Sequence, residues 1–176
     1  MSLTIFLADV DDATALADLA AETFPLACPP DAPRENIDAF IAEHLSEKKF
    51  RSYVKDRNRD ILLAVVDGEP AGYTMLVAGE PADPDVRAAV TTRPTVELSK
   101  FYVLPGHHGA GLAAELMAAT VSVARERAAA SVWLGVNNEN AKANRFYEKH
   151  GFATVGTKRF RLGERWEDDF VRTLEL

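Results

Sequence analysis

Short apolar runs typical of strands alternate along the chain with segments whose apolar residues recur at helical spacing. The strand-like segments are 4–7, 61–66, 71–77, 95–103, 131–136, 152–160 and 168–174. Apolar residues three or four positions apart predict helices that begin near residue 12, cover 37–45, run from 112 to about 127 and cover 140–150. The dipeptide Asp67-Gly68, between the second and third strands, predicts a tight hairpin.

The order of these elements is an antiparallel meander, then a β-α-β-α unit, then a hairpin. This order predicts an α/β (α+β) fold with a mixed, mostly antiparallel central sheet of about seven strands, flanked by about four helices. The proline-rich segments 24–33 and 79–94 are predicted to be irregular connections, and the charged segment 48–58 is compatible with an additional short helix. A chain of 176 residues with one such core predicts a single domain, 1–176.

Composition and charge argue against several classes of protein. The chain has 27 acidic and 20 basic side chains, and the net charge of −7 disfavours nucleic acid and favours a cationic ligand. No apolar run is long enough to span a bilayer and the first residues lack the pattern of a secretory leader, so we expect a cytoplasmic protein that does not bind membranes. Cys28 is the only cysteine, which excludes a Cys-rich metal cluster, and no Cys, Asp or Glu lies at ligand spacing near His107-His108, so no metal is expected.

Two glycines occur in the segment 108–113, between the fourth strand and a long helix. A helix start offers unpaired N–H groups and small residues let a phosphate approach them, so a ligand with a diphosphate fits this turn. The glycine pair alone is equally compatible with a tight turn that binds nothing. A Rossmann fold expects an acidic residue where the next strand ends, at 135–137, and a P-loop expects Gly-Lys-Ser/Thr; the chain has neither.

The same turn resembles the cofactor signature of the GNAT superfamily of N-acetyltransferases, Arg/Gln-x-x-Gly-x-Gly/Ala after a strand that ends in valine. His108 stands where the family has Arg or Gln. The resemblance implies the GNAT fold, with acetyl-CoA as co-substrate, its diphosphate held by the N–H groups of 109–113 and its pantetheine arm paired with the strand. The cofactor-binding residues that it implies are Phe101, Tyr102, Val103, His108, Gly109, Ala110, Gly111, Leu112, Ala113 and Asn140.

Asn140 and Tyr147 stand seven residues apart, close to two helical turns, so their side chains lie near one face of the last predicted helix. Each alone is compatible with a structural role, Asn140 as a helix cap and Tyr147 as a core aromatic. Together with Gly151-Phe152 they resemble a second GNAT signature, Asn … Tyr-x-x-x-Gly-Phe. This resemblance implies that Asn140 contacts the cofactor and that Tyr147, as general acid, protonates the departing thiolate.

A protonated amine must lose a proton before it attacks a thioester, and Glu97 on the fourth strand is the candidate base. Some GNAT enzymes place a glutamate at this point, whereas others carry one on the following strand, where this chain has Gly135. The alternative interpretation of Glu97 is a solvated strand residue.

Much of the chain, including Trp133-Leu134-Gly135-Val136, resembles bacterial polyamine (spermidine/spermine) N-acetyltransferases. This resemblance implies a small cationic amine as the acceptor. The acidic residues expected to border the acceptor are Glu164, Glu167, Asp168 and Asp169. Acetylation of a protein N-terminus or lysine and a non-catalytic acyl-CoA sensor are the alternatives, and a homodimer is left open.

Overall fold

A computed structural model describes residues 2–107 and 111–176 of the chain. The strands of this part are β1 (Leu3–Leu7), β2 (Arg59–Val66), β3 (Glu69–Ala78), β4 (Thr95–Val103), β5 (Ser131–Asn137), β6 (Ala153–Leu162) and β7 (Arg165–Glu175). Its helices are α1 (Ala13–Ala27), α2 (Arg34–His44), α3 (Glu47–Lys55), α4 (Pro84–Ala89), α5 (Leu112–Glu126) and α6 (Ala141–Lys149).

All the strands belong to one sheet, in the order β1-β2-β3-β4-β5-β7-β6. Neighbouring strands are antiparallel except β4 and β5, which are parallel. The predicted α/β (α+β) fold with a mixed, mostly antiparallel sheet of seven strands is therefore confirmed. Asp67 and Gly68 form the predicted hairpin, and both take the positive φ angles, 51° and 84°, that such a turn requires.

The helices are more numerous than predicted. The described residues contain six rather than about four, because the segment 48–58 contributes to α3 and the segment 79–94 contains α4. The side chain of Asp83 caps α4 by accepting a hydrogen bond from the N–H of Asp85, and Pro84 occupies the first helical position. A proline is well placed there, since the N–H that it lacks has no partner within a helix.

α1 is longer than the sequence pattern indicates. It continues through Pro25 to Ala27, so the predicted loop 24–33 is shorter than expected. Phe24, in this last stretch, is buried and stacks on Phe40 of α2 with ring centroids 4.5 Å apart. The packing of this aromatic pair favours continuation of the helix over the break that a proline alone suggests.

The two faces of the sheet are covered by different helices. One face packs against α1, α2 and α3, and its core includes Leu16, Phe50 and Met75. The opposite face packs against α5 and α6, with Leu76 and Met117 in its core. Met75 and Leu76 are consecutive in β3, so the alternation of strand side chains sends them to opposite faces.

A bulge in β4 changes which residues share a face. Met75 of β3 lies opposite Lys100, whereas its neighbour Leu76 lies opposite Leu98, so Ser99 has no partner in the register. One extra residue reverses the alternation beyond it. As a result Glu97, which precedes the bulge, and Lys100, which follows it, both lie on the face covered by α1, α2 and α3.

Candidate active site

The site is the gap that opens where β4 and β5 separate. The two strands pair over residues 95–97 and 131–133 and then diverge. The separated parts enclose a cavity of about 550 Å³, whose walls include Glu97 and Tyr147, the two predicted catalytic residues. Because this separation interrupts the sheet, it gives an extended ligand access to a strand edge of β4.

Most of the predicted cofactor-binding residues that the structure describes border this cavity. They are Phe101, Tyr102, Val103, Ala113 and Asn140. Phe101 lies on the face of the sheet next to α6, with its ring centroid 5.3 Å from that of Phe146. Tyr102 lies on the other face, opposite Tyr73 of β3. Side chains from both faces of the sheet therefore line the cavity.

The turn after β4 enters α5 at Gly111, which caps the helix with a φ of 79°, a conformation that glycine adopts readily. Leu112 is buried in the core, so its side chain is not available to a ligand. The first N–H groups of α5 have no carbonyl partner within the helix and fit the predicted diphosphate. His108, Gly109 and Ala110, the other residues predicted here, lie outside the described residues.

The side chain of Tyr147 extends from α6 into a cluster of aromatic side chains. Its ring centroid lies 6.2 Å from that of Phe101 and 5.8 Å from that of Phe152. Burial raises the pKa of the Tyr147 hydroxyl, and the neighbouring Tyr102 raises it further. Within residues 2–107 and 111–176 no hydrogen bond holds this hydroxyl. The protonated hydroxyl of Tyr147 therefore borders the cavity and has no hydrogen-bond partner among these residues.

Asn140 has the structural role that its position suggests. Its Oδ1 accepts a hydrogen bond of 3.1 Å from the N–H of Ala143 and so caps α6. The residue also lines the cavity. Since Oδ1 is engaged in the cap, a contact between this side chain and a ligand has to come mainly from Nδ2.

Glu97 and Lys100 bring opposite charges to the same part of the cavity wall. Burial raises the pKa of Glu97, and the positive charges of Lys158 and Lys100 limit the rise. Burial also lowers the pKa of Lys100 to about 8, and the carboxylate of Glu97 limits that fall. Glu97 is thus a partly buried carboxylate with increased basicity, rather than a solvated strand residue.

Lys158 and Asp169 form an ion pair across β6 and β7. The two residues are direct partners in the register, and Nζ of Lys158 lies 3.4 Å from Oδ2 of Asp169. Their side chains lie against the backbone of Gly135, where an added β-carbon would collide with Cε of Lys158. The glycine on β5 therefore leaves the room that this buried ion pair occupies.

The predicted acidic cluster divides between the cavity and the solvent. Glu167 and Asp169 are buried and line the cavity, whereas Glu164 and Asp168 are exposed. The alternation of side chains along β7 explains the split for residues 167–169. Glu167 also has a cation beside it, because Nη2 of Arg165 lies 3.2 Å from its Oε1.

Polar contacts of Arg165 with Asp31 and of Asn36 with Leu162, called the latch below, join the β6–β7 hairpin to the α1–α2 connection and to the start of α2. Nη1 of Arg165 donates a 2.8 Å hydrogen bond to the carbonyl of Asp31, and Nη2 lies 3.2 Å from Oδ2 of the same residue. Nδ2 of Asn36 donates to the carbonyl of Leu162. These contacts tie together two segments whose neighbours, Cys28 and Glu167, line the cavity.

Cys28 lines the cavity without the character of a nucleophile. Burial, together with the negative charge of Glu167, raises the pKa of its thiol to about 11. Its Sγ lies 3.4 Å from the carbonyl of Phe24, to which the thiol donates. The thiol therefore stays protonated near neutral pH, which makes it a poor nucleophile.

Sequence reasoning missed Lys100 and Lys158 as cavity residues. A signal for Lys100 is its position, since a lysine in the middle of a central strand has to be either buried or at a site. Lys158 carries a weaker signal, because its pairing with Asp169 depends on the register that the turn between β6 and β7 sets.

Comparison with known proteins identifies the family. Residues 14–152 match the Acetyltransferase (GNAT) family, which is most of the chain. An uncharacterized N-acetyltransferase of Mycobacterium tuberculosis is 47% identical over 165 residues, covering 94% of this chain and 98% of that protein. The chain therefore belongs to the GNAT acetyltransferase family and is an acyltransferase.

Solved structures agree with the fold. The PaiA N-acetyltransferase of Thermoplasma acidophilum, in complex with coenzyme A, has a TM-score of 0.79 at 19% identity, with both chains covered completely. The ribosomal-protein-S18-alanine N-acetyltransferase of Escherichia coli has a TM-score of 0.69 at 20% identity, covering 99% of this chain and 94% of that one. In the described ranges, no helix is long and apolar enough to cross a membrane.

Proposed function

We propose that this protein is an acetyl-CoA-dependent N-acetyltransferase that moves the acetyl group directly to a primary amine of a small acceptor. The observation that carries the proposal is that one cavity, opened by the separation of β4 and β5, is lined by both Glu97 and Tyr147. A group that can accept a proton and a group that can donate one thus border the same space. The coenzyme A complex of the PaiA N-acetyltransferase supports the choice of cofactor for this fold.

The reaction forms a nitrogen–carbon bond and breaks a carbon–sulfur bond. Glu97 accepts the proton that the acceptor's ammonium must lose, directly or through water, and its raised pKa makes it a stronger base than an exposed glutamate. Tyr147 donates a proton to the departing thiolate; burial raises the pKa of its hydroxyl above the ordinary tyrosine value, which already leaves the group protonated at neutral pH. The first turn of α5 holds the diphosphate of the cofactor.

The narrower prediction, a polyamine acceptor, depends on free carboxylates near the reacting amine. Three carboxylates of the described residues line the cavity. Two of them already have a cation beside them, since Asp169 pairs with Lys158 and Glu167 with Arg165. Glu97 is the third, and it supports one ammonium at the reaction centre. The polyamine acceptor stays a prediction.

A small acceptor is also supported by the latch between Arg165 and Asp31, which ties the α1–α2 connection to the β6–β7 hairpin. A peptide acceptor, by contrast, needs an open groove across the sheet. Acetylation of a protein amine is therefore the less favoured alternative. A sensor that binds acyl-CoA without turnover is also less favoured, because it does not explain why Glu97 and Tyr147 line the same cavity.

The test is a thiol-release assay with acetyl-CoA and a panel of amines, with the acetylated product identified by mass spectrometry. The panel contains diamines, polyamines, amino acids and a peptide with a free N-terminus. We expect release of coenzyme A with at least one class of small primary amine. Binding of coenzyme A without release for the whole panel would establish the sensor, and a preference for the peptide would establish the protein acceptor.

A further inference from the structure

The charged side chains on the wall of the cavity fall into those with a partner and those without. Lys158 and Asp169 form an ion pair, and Nη2 of Arg165 lies 3.2 Å from Oε1 of Glu167, although this oxygen accepts no hydrogen bond from the described residues. Glu97 and Lys100 differ, because in the part of the chain that the structure describes neither one makes an ion pair or a side-chain hydrogen bond. One carboxylate and one ammonium are thus left for a ligand.

The local backbone places the ammonium of Lys100 where it can contact a ligand in the cavity. The bulge at Ser99 turns Lys100 to the face on which Glu97 and Tyr102 lie, and all three line the cavity. Its ammonium lies over the ring of Tyr53, but at 5.9 Å from the centroid this contact is a weak substitute for an anion.

A partly buried ammonium that makes no ion pair is costly, and burial lowers its pKa to about 8 although the carboxylate of Glu97 offsets part of the fall. An anionic group on the ligand removes this cost by pairing with Lys100. A second cationic group on the ligand increases it, because like charges repel at short range in a site from which water is excluded.

We infer that the acceptor is zwitterionic, a primary amine that also carries a carboxylate or a similar anionic group, with its ammonium received by Glu97 and its anion bound by Lys100. This inference rests on the proposed function and narrows its acceptor. Amino acids are the simplest compounds of this class. Lys100 acts in it as a specificity-determining residue, since it contacts the part of the acceptor that does not react.

The test compares acceptors that differ by one carboxylate, such as lysine against 1,5-diaminopentane and 4-aminobutanoate against propylamine, at equal concentrations of free base. For the wild-type protein we expect kcat/KM to favour the carboxylate-bearing member of at least one pair by about 10- to 100-fold, the range of one charge-assisted hydrogen bond. Lys100→Met keeps the length of the side chain and removes the charge, so it should abolish this preference. Lys100→Arg should retain part of it.

The controls separate this inference from the proposed function. Lys48→Met makes the same change of charge at an exposed position and should leave the preference intact. Calorimetric titration of coenzyme A should give the same affinity within about twofold in wild type and Lys100→Met, which shows that the variant is folded. A preference that survives in Lys100→Met, or turnover of diamines and simple amines with no gain from a carboxylate, would overturn the zwitterionic acceptor and leave the acetyltransferase intact. Turnover of no amine at all would overturn both.

Discussion

Lys158 and Asp169 form their ion pair, 3.4 Å between Nζ and Oδ2, in space that exists because residue 135 has no side chain. Gly135→Ala should push the end of Lys158 away and weaken the pair. Both residues line the cavity, Asp169 is predicted to border the acceptor, and neither belongs to the predicted cofactor turn, so we expect KM for the acceptor to rise by about 3- to 30-fold. The affinity for coenzyme A should stay within about twofold.

A double-mutant cycle identifies the cause. In a Lys158→Ala background the added methyl group no longer collides with Lys158 and meets Oδ2 of Asp169 at 3.1 Å, so Gly135→Ala should then have a smaller effect on KM. Additive effects of the two substitutions would show that the glycine is required for the backbone of β5 rather than for the ion pair.

The strands of this fold can be predicted well because each one carries a local signal. β4 has the predicted bounds, 95–103, and the Asp67-Gly68 turn fixes the hairpin between β2 and β3. α4 and the end of α1 are harder to predict. Pro25 lies inside α1, and the prolines of the segment 79–94 suggest a loop although Pro84 stands at the favourable first position of α4. The tertiary contacts of Phe24 and Val86, which are buried, decide the outcome.

The candidate site is less predictable because it depends on register. Strict alternation along β4 puts Glu97 on the face opposite Tyr102, and only the bulge at Ser99 brings them to one face. The serine at position 99 gives no sequence signal that predicts a bulge. The same limit applies to the charge pairing of Asp169, since its partner Lys158 is set by the register of the last hairpin.

Tyr73 offers a test of the core next to the site. Its side chain is fully buried, and its hydroxyl has no hydrogen-bond partner among the described residues. Tyr53, which packs on the same Phe50, donates a 2.7 Å hydrogen bond to the carbonyl of His44. Removing an unpaired buried hydroxyl relieves a desolvation cost, whereas removing a paired one loses a bond.

We therefore expect Tyr73→Phe to raise the free energy of unfolding by about 1 kcal/mol and Tyr53→Phe to lower it by about 1 kcal/mol. Urea denaturation of both variants beside wild type measures the difference. Equal losses in the two variants would mean that the Tyr73 hydroxyl has a partner in solution, such as a buried water.

Lys100 makes stability depend on pH in an unusual direction. Burial lowers its pKa from 10.5 to about 8 in the folded protein, so its charge is a cost in the folded state. The cost is complete below pH 8, where the lysine is protonated in both states. It declines as the pH rises from about 8 towards 10.5, where the unfolded chain still binds the proton and the folded one has released it.

Lys100→Met should accordingly raise the free energy of unfolding at pH 7, by an amount on the order of 1 to 3 kcal/mol. The gain over wild type should shrink when denaturation is repeated at pH 9.5. Lys48→Met, at an exposed position, should show no such trend. A gain that does not change with pH would mean that better packing of methionine, and not the removed charge, is the source.

Glu97 should control the acidic side of the pH–rate profile. Its pKa is raised by burial, so the rate at a fixed concentration of free-base acceptor should fall as the pH drops through that raised value and Glu97 becomes protonated. Glu97→Gln should lower kcat/KM by about 10²- to 10⁴-fold and remove this acidic limb. A variant that keeps both the rate and the limb would exclude Glu97 as the base.

Tyr147→Phe tests the general acid, because it keeps the ring and its contacts with Phe101 and Phe152 and removes the hydroxyl. The hydroxyl acts mainly as charge develops on the sulfur, so the affinity for coenzyme A should stay within a few-fold. The turnover number should fall by roughly 10- to 1,000-fold, the usual effect of a general acid less some rescue by water. Any alkaline limb of the rate profile that reports this hydroxyl should disappear. Tyr53→Phe removes a hydroxyl outside the cavity and should keep the wild-type rate.

Tyr102→Phe decides between the two phenols that border the cavity, since the hydroxyl of Tyr102 has a raised pKa and lies near enough to Tyr147 to raise the pKa of that residue. A proton donor to the thiolate must reach the sulfur, which the pantetheine arm brings along β4 towards α6 in the proposed arrangement. That geometry favours Tyr147, which extends from α6, over Tyr102, which lies on the face covered by α1, α2 and α3. A larger loss of turnover in Tyr102→Phe than in Tyr147→Phe would assign the acid to Tyr102. Full activity in both variants would mean that water protonates the thiolate, and that the tyrosines serve to shape the cavity.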